Sequence, residues 1–209
     1  MTKVYAVFVD VDGVIFSPWQ YNINYMVPVD YHGLIQNFDN NALNNMNRMI
    51  ELIQMRTGVQ VIIILSSNWR LLGTVYELKE LFKMHKFSNY IVDKTPHIGD
   101  NNRDLEIYTW LEVNKCKYTV LNYVIIDDND FNLSKRFGRR FIKCDPEKLF
   151  DNDTLNIALT NILDKRLHNE KYWYTGLFVD HEPTNKFLLI IFTNLIMLWL
   201  IAIFLILKI

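Results

Sequence analysis

The chain has 209 residues, half of them apolar and 14% aromatic, with 22 Lys and Arg against 23 Asp and Glu. That length suits one domain of ordinary size with an appendage, and the apolar share allows a packed core. The near balance of charge excludes a basic sheath for nucleic acid, so no general nucleic-acid-binding surface is expected. Cys116 and Cys144 lack metal or redox spacing and are expected to be reduced, buried small apolar residues.

The N-terminus shows no signal peptide, because Met1-Thr2-Lys3 leads straight into Val4–Val9, a β-branched run too short for a secretory core and ending in acids. That run predicts the first strand. From Phe16 to about Asn40 the sequence is irregular, with Pro18, Pro28 and Gly33 and many aromatics. Ala42–Arg56 places Leu43, Met46, Met49, Ile50 and Ile53 at helical spacing, closed by Gly58. Val59–Leu65, apolar but for one Gln, predicts a strand covered on both faces. A helix over Val75–Met84 and a minimal strand at Tyr90–Val92 follow. Leu105–Val113 then reads as a helix, and Tyr123–Ile126 as a strand ending in acids. Arg140–Lys143 and Thr154–Leu163 complete the pattern as strand and helix. This alternation predicts an α/β fold, a Rossmann-like parallel sheet with helices on both faces, over residues 1–166.

Residues 167–186 read as a juxtamembrane linker in which Tyr172, Trp173 and Tyr174 either meet a membrane interface or pack on the domain. Phe187 to Leu207 is a run of 21 uncharged residues, long enough to cross a bilayer core as a helix. Only Lys208 and Ile209 lie beyond it, so the expectation is a single-pass C-terminal tail anchor, residues 187–207, with the domain facing the cytosol. The stretch from 187 to 209 carries one Lys, Lys208, and no acid. The remainder holds 21 Lys and Arg against 23 Asp and Glu, a net charge of −2.

In open parallel sheets ligands bind beyond the carboxyl ends of the strands. Three predicted strands end in polar residues: Asp10-Val11-Asp12-Gly13, Ser66-Ser67-Asn68 and Asp127-Asp128-Asn129-Asp130. Crowded carboxylates raise one another's pKa, and a hard divalent cation with oxygen ligands relieves the repulsion. Mg²⁺ suits two or three carboxylates together with a phosphate oxygen. A carboxylate such as Asp10 can attack phosphorus, and Asp12, two residues on, can act as general acid and then base. Gly13 permits the sharp turn, and the Ser66 hydroxyl can hold a phosphoryl oxygen. Taken singly, each piece has a structural alternative: Asp-x-Asp-Gly as a turn or calcium loop, Asp127-Asp128 as a strand-end turn, Ser66 as a polar strand terminus. Their order behind three apolar runs is the signal.

Val7-Phe8-Val9-Asp10-Val11-Asp12-Gly13-Val14 resembles the first motif of the haloacid dehalogenase-like (HAD) hydrolases, Ile64-Leu65-Ser66 the second and Ile125-Ile126-Asp127-Asp128 the fourth. The resemblance covers about residues 4–165. Leu65-Ser66-Ser67-Asn68-Trp69-Arg70, Thr95-Pro96, Arg103-Asp104-Leu105-Glu106-Ile107 and Cys144-Asp145-Pro146 narrow it to small domains associated with RNA-repair proteins. It implies that Asp10 is the nucleophile and Asp12 the general acid/base. It further implies that Asp10, the Asp12 backbone carbonyl, and Asp127 or Asp128 hold Mg²⁺, while Ser66 binds the phosphoryl group. For the cation of the third motif it leaves two candidates, Arg103 and Lys94, with Arg103 favoured by its place at the start of the helix before the acidic strand. Arg70 is open between substrate contact and pairing with a surface carboxylate. Residues 14–41 leave room for a flap and not for a folded cap, which implies access for phosphate on a large substrate. Trp19, Tyr21, Tyr25 and Tyr31 in that flap either stack on a base or form its own small core. The implied function is a membrane-tethered, magnesium-dependent phosphatase on a nucleotide, a nucleic-acid end or a phosphoprotein. The alternative is an inactive domain of the same fold serving as a membrane-anchored binding module.

Overall fold

The structure is a computed structural model that describes residues 1–17 and 38–168. Five strands, β1 (Thr2–Val9), β2 (Gln60–Leu65), β3 (Ile91–Lys94), β4 (Tyr118–Asp127) and β5 (Phe141–Lys143), form one sheet in the order β3-β2-β1-β4-β5. Every pairing is parallel, as the alternation of strands and helices predicts. The helices are α1 (Asn40–Thr57), α2 (Val75–Leu81), α3 (Arg103–Asn114), α4 (Leu133–Phe137), α5 (Asn152–Ile162) and α6 (Lys165–His168).

Side chains alternate across a strand, so each strand serves two cores. Tyr5, Val7, Val9, Val61, Ile63, Leu65, Val124 and Ile126 share one cluster with Met46, Met49 and Ile53 of α1 and Leu155 and Ile162 of α5. On the opposite face Phe8 meets Trp110 of α3 edge-on at 5.4 Å and Tyr123 at 5.9 Å, and Tyr123 meets Phe137 of α4 at 6.0 Å. Helix ends follow from local chemistry. Asp39 caps α1 by accepting from the Ala42 amide, and Gly58 closes it with φ of 68°, its own amide donating to the Gln54 carbonyl. Thr74 and Glu77 form a reciprocal capping box at the start of α2, and Asp151 caps α5.

The largest shifts of bounds from the sequence reading are in β4 and α2, and the short helices α4 and α6 are not predicted by it. β4 begins at Tyr118, five residues before the apolar run that predicts it, because Thr2, Lys3 and Val4 of β1 pair with Tyr118, Thr119 and Val120. Asn122 hides the continuity: it is buried, and its side chain donates to the carbonyls of Asn161 and Ile162, so a polar residue stands inside the sheet at no loss of hydrogen bonding. α2 ends at Leu81, with Phe82 still buried but outside the helix. Cys144 is buried as expected, whereas Cys116 is exposed in the turn before β4.

Register places the site. Val9 pairs with Leu65 on one side and with Ile126 on the other. The next residues, Asp10, Ser66 and Asp127, therefore stand at one level of the sheet edge. The ladder runs one step further: the Asp10 amide donates to the Ile126 carbonyl and the Ser66 amide to the Val9 carbonyl, both at 2.9 Å. Between β2 and β3 lie only a 3₁₀ turn (Asn68–Leu72), the seven residues of α2 and a second 3₁₀ turn (Lys86–Tyr90), so no folded cap stands there. The flap aromatics Trp19, Tyr21, Tyr25 and Tyr31, the linker residues Tyr172 to Tyr174 and the expected tail anchor at 187–207 lie outside the described residues. Among the described residues no helix is long and apolar enough to cross a membrane.

Candidate active site

Oxygen atoms of Asp10, Asp127 and Asp128 all lie within 4.8 Å of one another at the carboxyl end of β1 and β4. Asp10 and Asp127 are buried and Asp128 is half-buried. Asp10 Oδ1 accepts from the Val11 amide at 2.9 Å, and the Ser67 hydroxyl donates to the same carboxylate. Asp127 Oδ1 accepts from the Asn129 amide at 2.9 Å, and Asp128 Oδ1 from the Asn129 side chain at 2.8 Å. The turn after Asp12 brings the two acidic ends together. Gly13 has φ of 69°, and a Cβ at this position would lie 2.5 Å from the Asp128 carboxyl carbon. Glycine thus meets two demands here, a left-handed backbone and close approach of a carboxylate.

Arg103 is the cation brought to this cluster. It is buried at the first residue of α3, with Nη1 3.0 Å from Asp127 Oδ2 and 3.5 Å from Asp10 Oδ1. Burial alone would lower its pKa, but the carboxylates of Asp10 and Asp127 outweigh that and raise it. Its guanidinium also lies 5.2 Å from the centre of the Phe131 ring. Lys94, the other candidate, stands at the end of β3 and points elsewhere: its ammonium donates to the carbonyls of Arg70, at 2.8 Å, and of Gly73.

Arg70 pairs with a carboxylate, but a buried one. Its Nη2 is 2.6 Å from Glu106 Oε1, with both side chains nearly inaccessible, and its Nη1 donates to the Ser67 carbonyl at 2.7 Å. Glu106 reaches Arg103 as well, Oε2 to Nε at 3.8 Å, and accepts from the Ile98 amide at 3.1 Å. A chain of charges thus runs from the Ser66-Ser67 loop through Arg70 and Glu106 to Arg103 and the acidic cluster. Beside it opens a cavity of about 210 Å³ whose lining includes Arg70, His97, Arg103 and Phe131.

The Ser66 hydroxyl is buried and has no hydrogen-bond partner within the protein. An orphaned donor at this depth costs stability unless something else binds it. It stands one position beyond Leu65, at the level of Asp10 on the neighbouring strand. Asp12 lies apart from the three-carboxylate group. Both of its oxygens accept from the indole N–H of Trp69, at 3.0 and 3.1 Å.

Burial raises the pKa of all four aspartates. For Asp10, Arg103 and the Ser67 and Val11 bonds pull the other way; for Asp127, Asp10 adds to the rise. Asp128 is raised by burial against its Asn129 bond. Asp12 is pushed to about 6 by burial and then by Asp10, against the Trp69 bond. Four carboxylates share one guanidinium, so the site carries excess negative charge in a poorly solvated place. Oxygen donors, close spacing and unrelieved repulsion fit a hard divalent cation bound by Asp10, Asp127 and Asp128.

A family model described as the HAD domain in Swiss Army Knife RNA repair proteins matches residues 6–155. The chain belongs to this family. The matched span of the HAD domain begins inside β1 and ends in α5, so it contains every residue of the acidic cluster, Ser66, Arg103 and Arg70. The family points to a hydrolase of the HAD superfamily. No curated protein and no solved structure matches the chain significantly. Ser67, Trp69 and Glu106 are the site residues that sequence reasoning leaves without a role. The Trp-Arg pair after the serines is visible in the sequence, but the partners that give it meaning, Asp12 and Glu106, are distant along the chain.

Proposed function

We propose that the HAD domain is a magnesium-dependent phosphomonoesterase that works through an aspartyl-phosphate on Asp10. The observation that carries this reading is the gathering of Asp10, Asp127 and Asp128 within 4.8 Å, with Arg103 reaching into the same group. Bound Mg²⁺, held by Asp10, Asp127 and Asp128, would offset the repulsion between the Asp10 carboxylate and an anionic phosphoryl group. Ser66 supplies its unpartnered hydroxyl to a phosphoryl oxygen, and Arg103 supplies positive charge beside the attacking carboxylate. An Asp10 oxygen forms a bond to phosphorus as the bond to the leaving oxygen breaks, and the Asp12 proton passes to that leaving oxygen. Asp12, now a carboxylate, takes a proton from water as the water oxygen bonds to phosphorus. The bond from Asp10 to phosphorus breaks, phosphate departs, and both aspartates are restored. A pKa of about 6 keeps a share of Asp12 protonated near neutrality, as the first step requires.

The lack of a folded cap between β2 and β3 suits phosphate borne on a large substrate. The family's occurrence in RNA repair proteins supports a nucleic-acid end or nucleotide over a phosphoprotein. With a net charge of −2 outside the tail, contact with a nucleic acid is confined to the end that enters the pocket. The 21 uncharged residues at 187–207 support a membrane-spanning helix that would hold the domain at a membrane surface. The test is phosphate release from an aryl phosphate by the full chain. Activity that requires magnesium and disappears in Asp10→Asn is expected; release of phosphate by Asp10→Asn at the wild-type rate would overturn the reading.

A further inference from the structure

Asp12 lies beside the three-carboxylate group but is not part of it. Its two oxygens face the indole N–H of Trp69 at 3.0 and 3.1 Å, while Asp10, Asp127 and Asp128 form the close group. Trp69 is itself immobilised. It is buried in the 3₁₀ turn after β2, with ring centroids 5.8 Å from Phe16, 5.7 Å from Phe38 and 6.3 Å from Phe82, and its amide donates to Ser67 Oγ at 3.3 Å. A carboxylate two residues from Asp10, itself grouped with Asp127 and Asp128, would be an available ligand for a divalent cation at that group. An indole N–H is a donor and nothing else. It can hold a carboxylate without competing for the cation and without joining the proton transfer.

We infer that Trp69 is a positioning residue: its indole N–H ties the Asp12 carboxyl to the aromatic wall, keeping it out of the metal group and in place for proton transfer to the leaving oxygen. This rests on the phosphatase reading. Preorganisation of this kind acts through geometry, and a loss of alignment costs rate where the aligned group is needed. Whether the proton is needed depends on the leaving group. A nitrophenolate departs without one, whereas an alkoxide requires one, so the leaving group separates loss of Asp12 placement from general damage.

The experiment compares kcat/KM of wild type and Trp69→Phe, as full chains with magnesium, on a nitrophenyl phosphate and on an alkyl phosphate. Phenylalanine keeps the ring in the wall and removes the N–H. The expected result is a loss of about 10- to 100-fold on the alkyl phosphate, a part of what a general acid contributes. On the nitrophenyl phosphate the loss stays under about 3-fold by the same reasoning. A burst of nitrophenolate should precede a slower steady state, because breakdown of the aspartyl-phosphate still needs Asp12 as base. Equal losses on both substrates, or none, would overturn the inference and leave the phosphatase reading standing. A wild type that hydrolyses neither substrate would overturn both. If Trp69→Phe does not fold, the indole N–H spectrum of Asp12→Ala decides: one indole resonance shifting away from its wild-type position is expected, and an unchanged set of indole resonances would contradict the contact.

Discussion

At Gly13 a single hydrogen atom in place of a side chain decides whether two acidic segments meet. The residue has φ of 69°, and a methyl group there would lie 2.5 Å from the Asp128 carboxyl. Gly13→Ala should therefore lose about 1–3 kcal/mol to backbone strain, and more as Asp128 is displaced. Calorimetric titration should show magnesium affinity falling along with the thermal midpoint. A variant that melts lower but binds magnesium as tightly as wild type would separate the turn from the metal group. Residues whose role is local were legible in the sequence. Asp10, Asp12, Ser66, Asp127 and Asp128 each end an apolar β-branched run, and the sheet edge is where such ends collect. Residues whose role depends on a distant partner were not. Trp69 gains its meaning from Asp12, 57 residues earlier, and Arg70 from Glu106, 36 residues later. No period or spacing in one segment carries that information.

The strands and helices align the site through register and through where each element starts. Val9 lies level with Leu65 and Ile126, which sets Asp10, Ser66 and Asp127 side by side. α3 begins with Arg103 and carries Glu106 one turn on, so one helix start delivers both the cation of the site and the anion that ties it to Arg70. Removing Glu106 leaves buried guanidinium groups short of a partner. Glu106→Ala is expected to cost about 3–5 kcal/mol in urea denaturation, the range for breaking a buried ion pair from one side. A loss under 1 kcal/mol would mean that water replaces the carboxylate and that the chain of charges is not structural. Helix and strand order could be read from periodicity, because the apolar face of α1 is regular and α3 places Ile107, Trp110 and Leu111 at helical spacing. β4 was read five residues short because Asn122 interrupts the apolar run, and its compensating bonds come from the distant end of α5.

For the molecule as a whole, the acidic cluster works against folding until a cation binds. Burial and then Asp10 raise the Asp12 carboxyl from its ordinary 3.8 to about 6. Between those values the folded chain keeps a proton that the unfolded chain has released, so this contribution is full below about pH 4 and is lost as pH rises through about 6. Asp10, Asp127 and Asp128 are displaced in the same direction. In a chelating buffer, Asp12→Asn should therefore gain on wild type between pH 4 and pH 7, by up to about 3 kcal/mol at ~1.4 kcal/mol per pKa unit. Urea midpoints at the two pH values measure it, and a difference that does not grow with pH would contradict the assigned burial. Magnesium should raise the thermal midpoint at pH 7 and leave it nearly unchanged at pH 4. All of this serves one claim, that Asp10 takes the phosphoryl group. The most direct measurement is to quench the full chain in acid during turnover of an aryl phosphate with magnesium and map the adduct by mass spectrometry. A hydroxylamine-sensitive phosphoryl group on Asp10, absent from Asp10→Asn, is the expected result. Phosphate release at the wild-type rate from a chain that never carries an adduct on Asp10 would contradict the account.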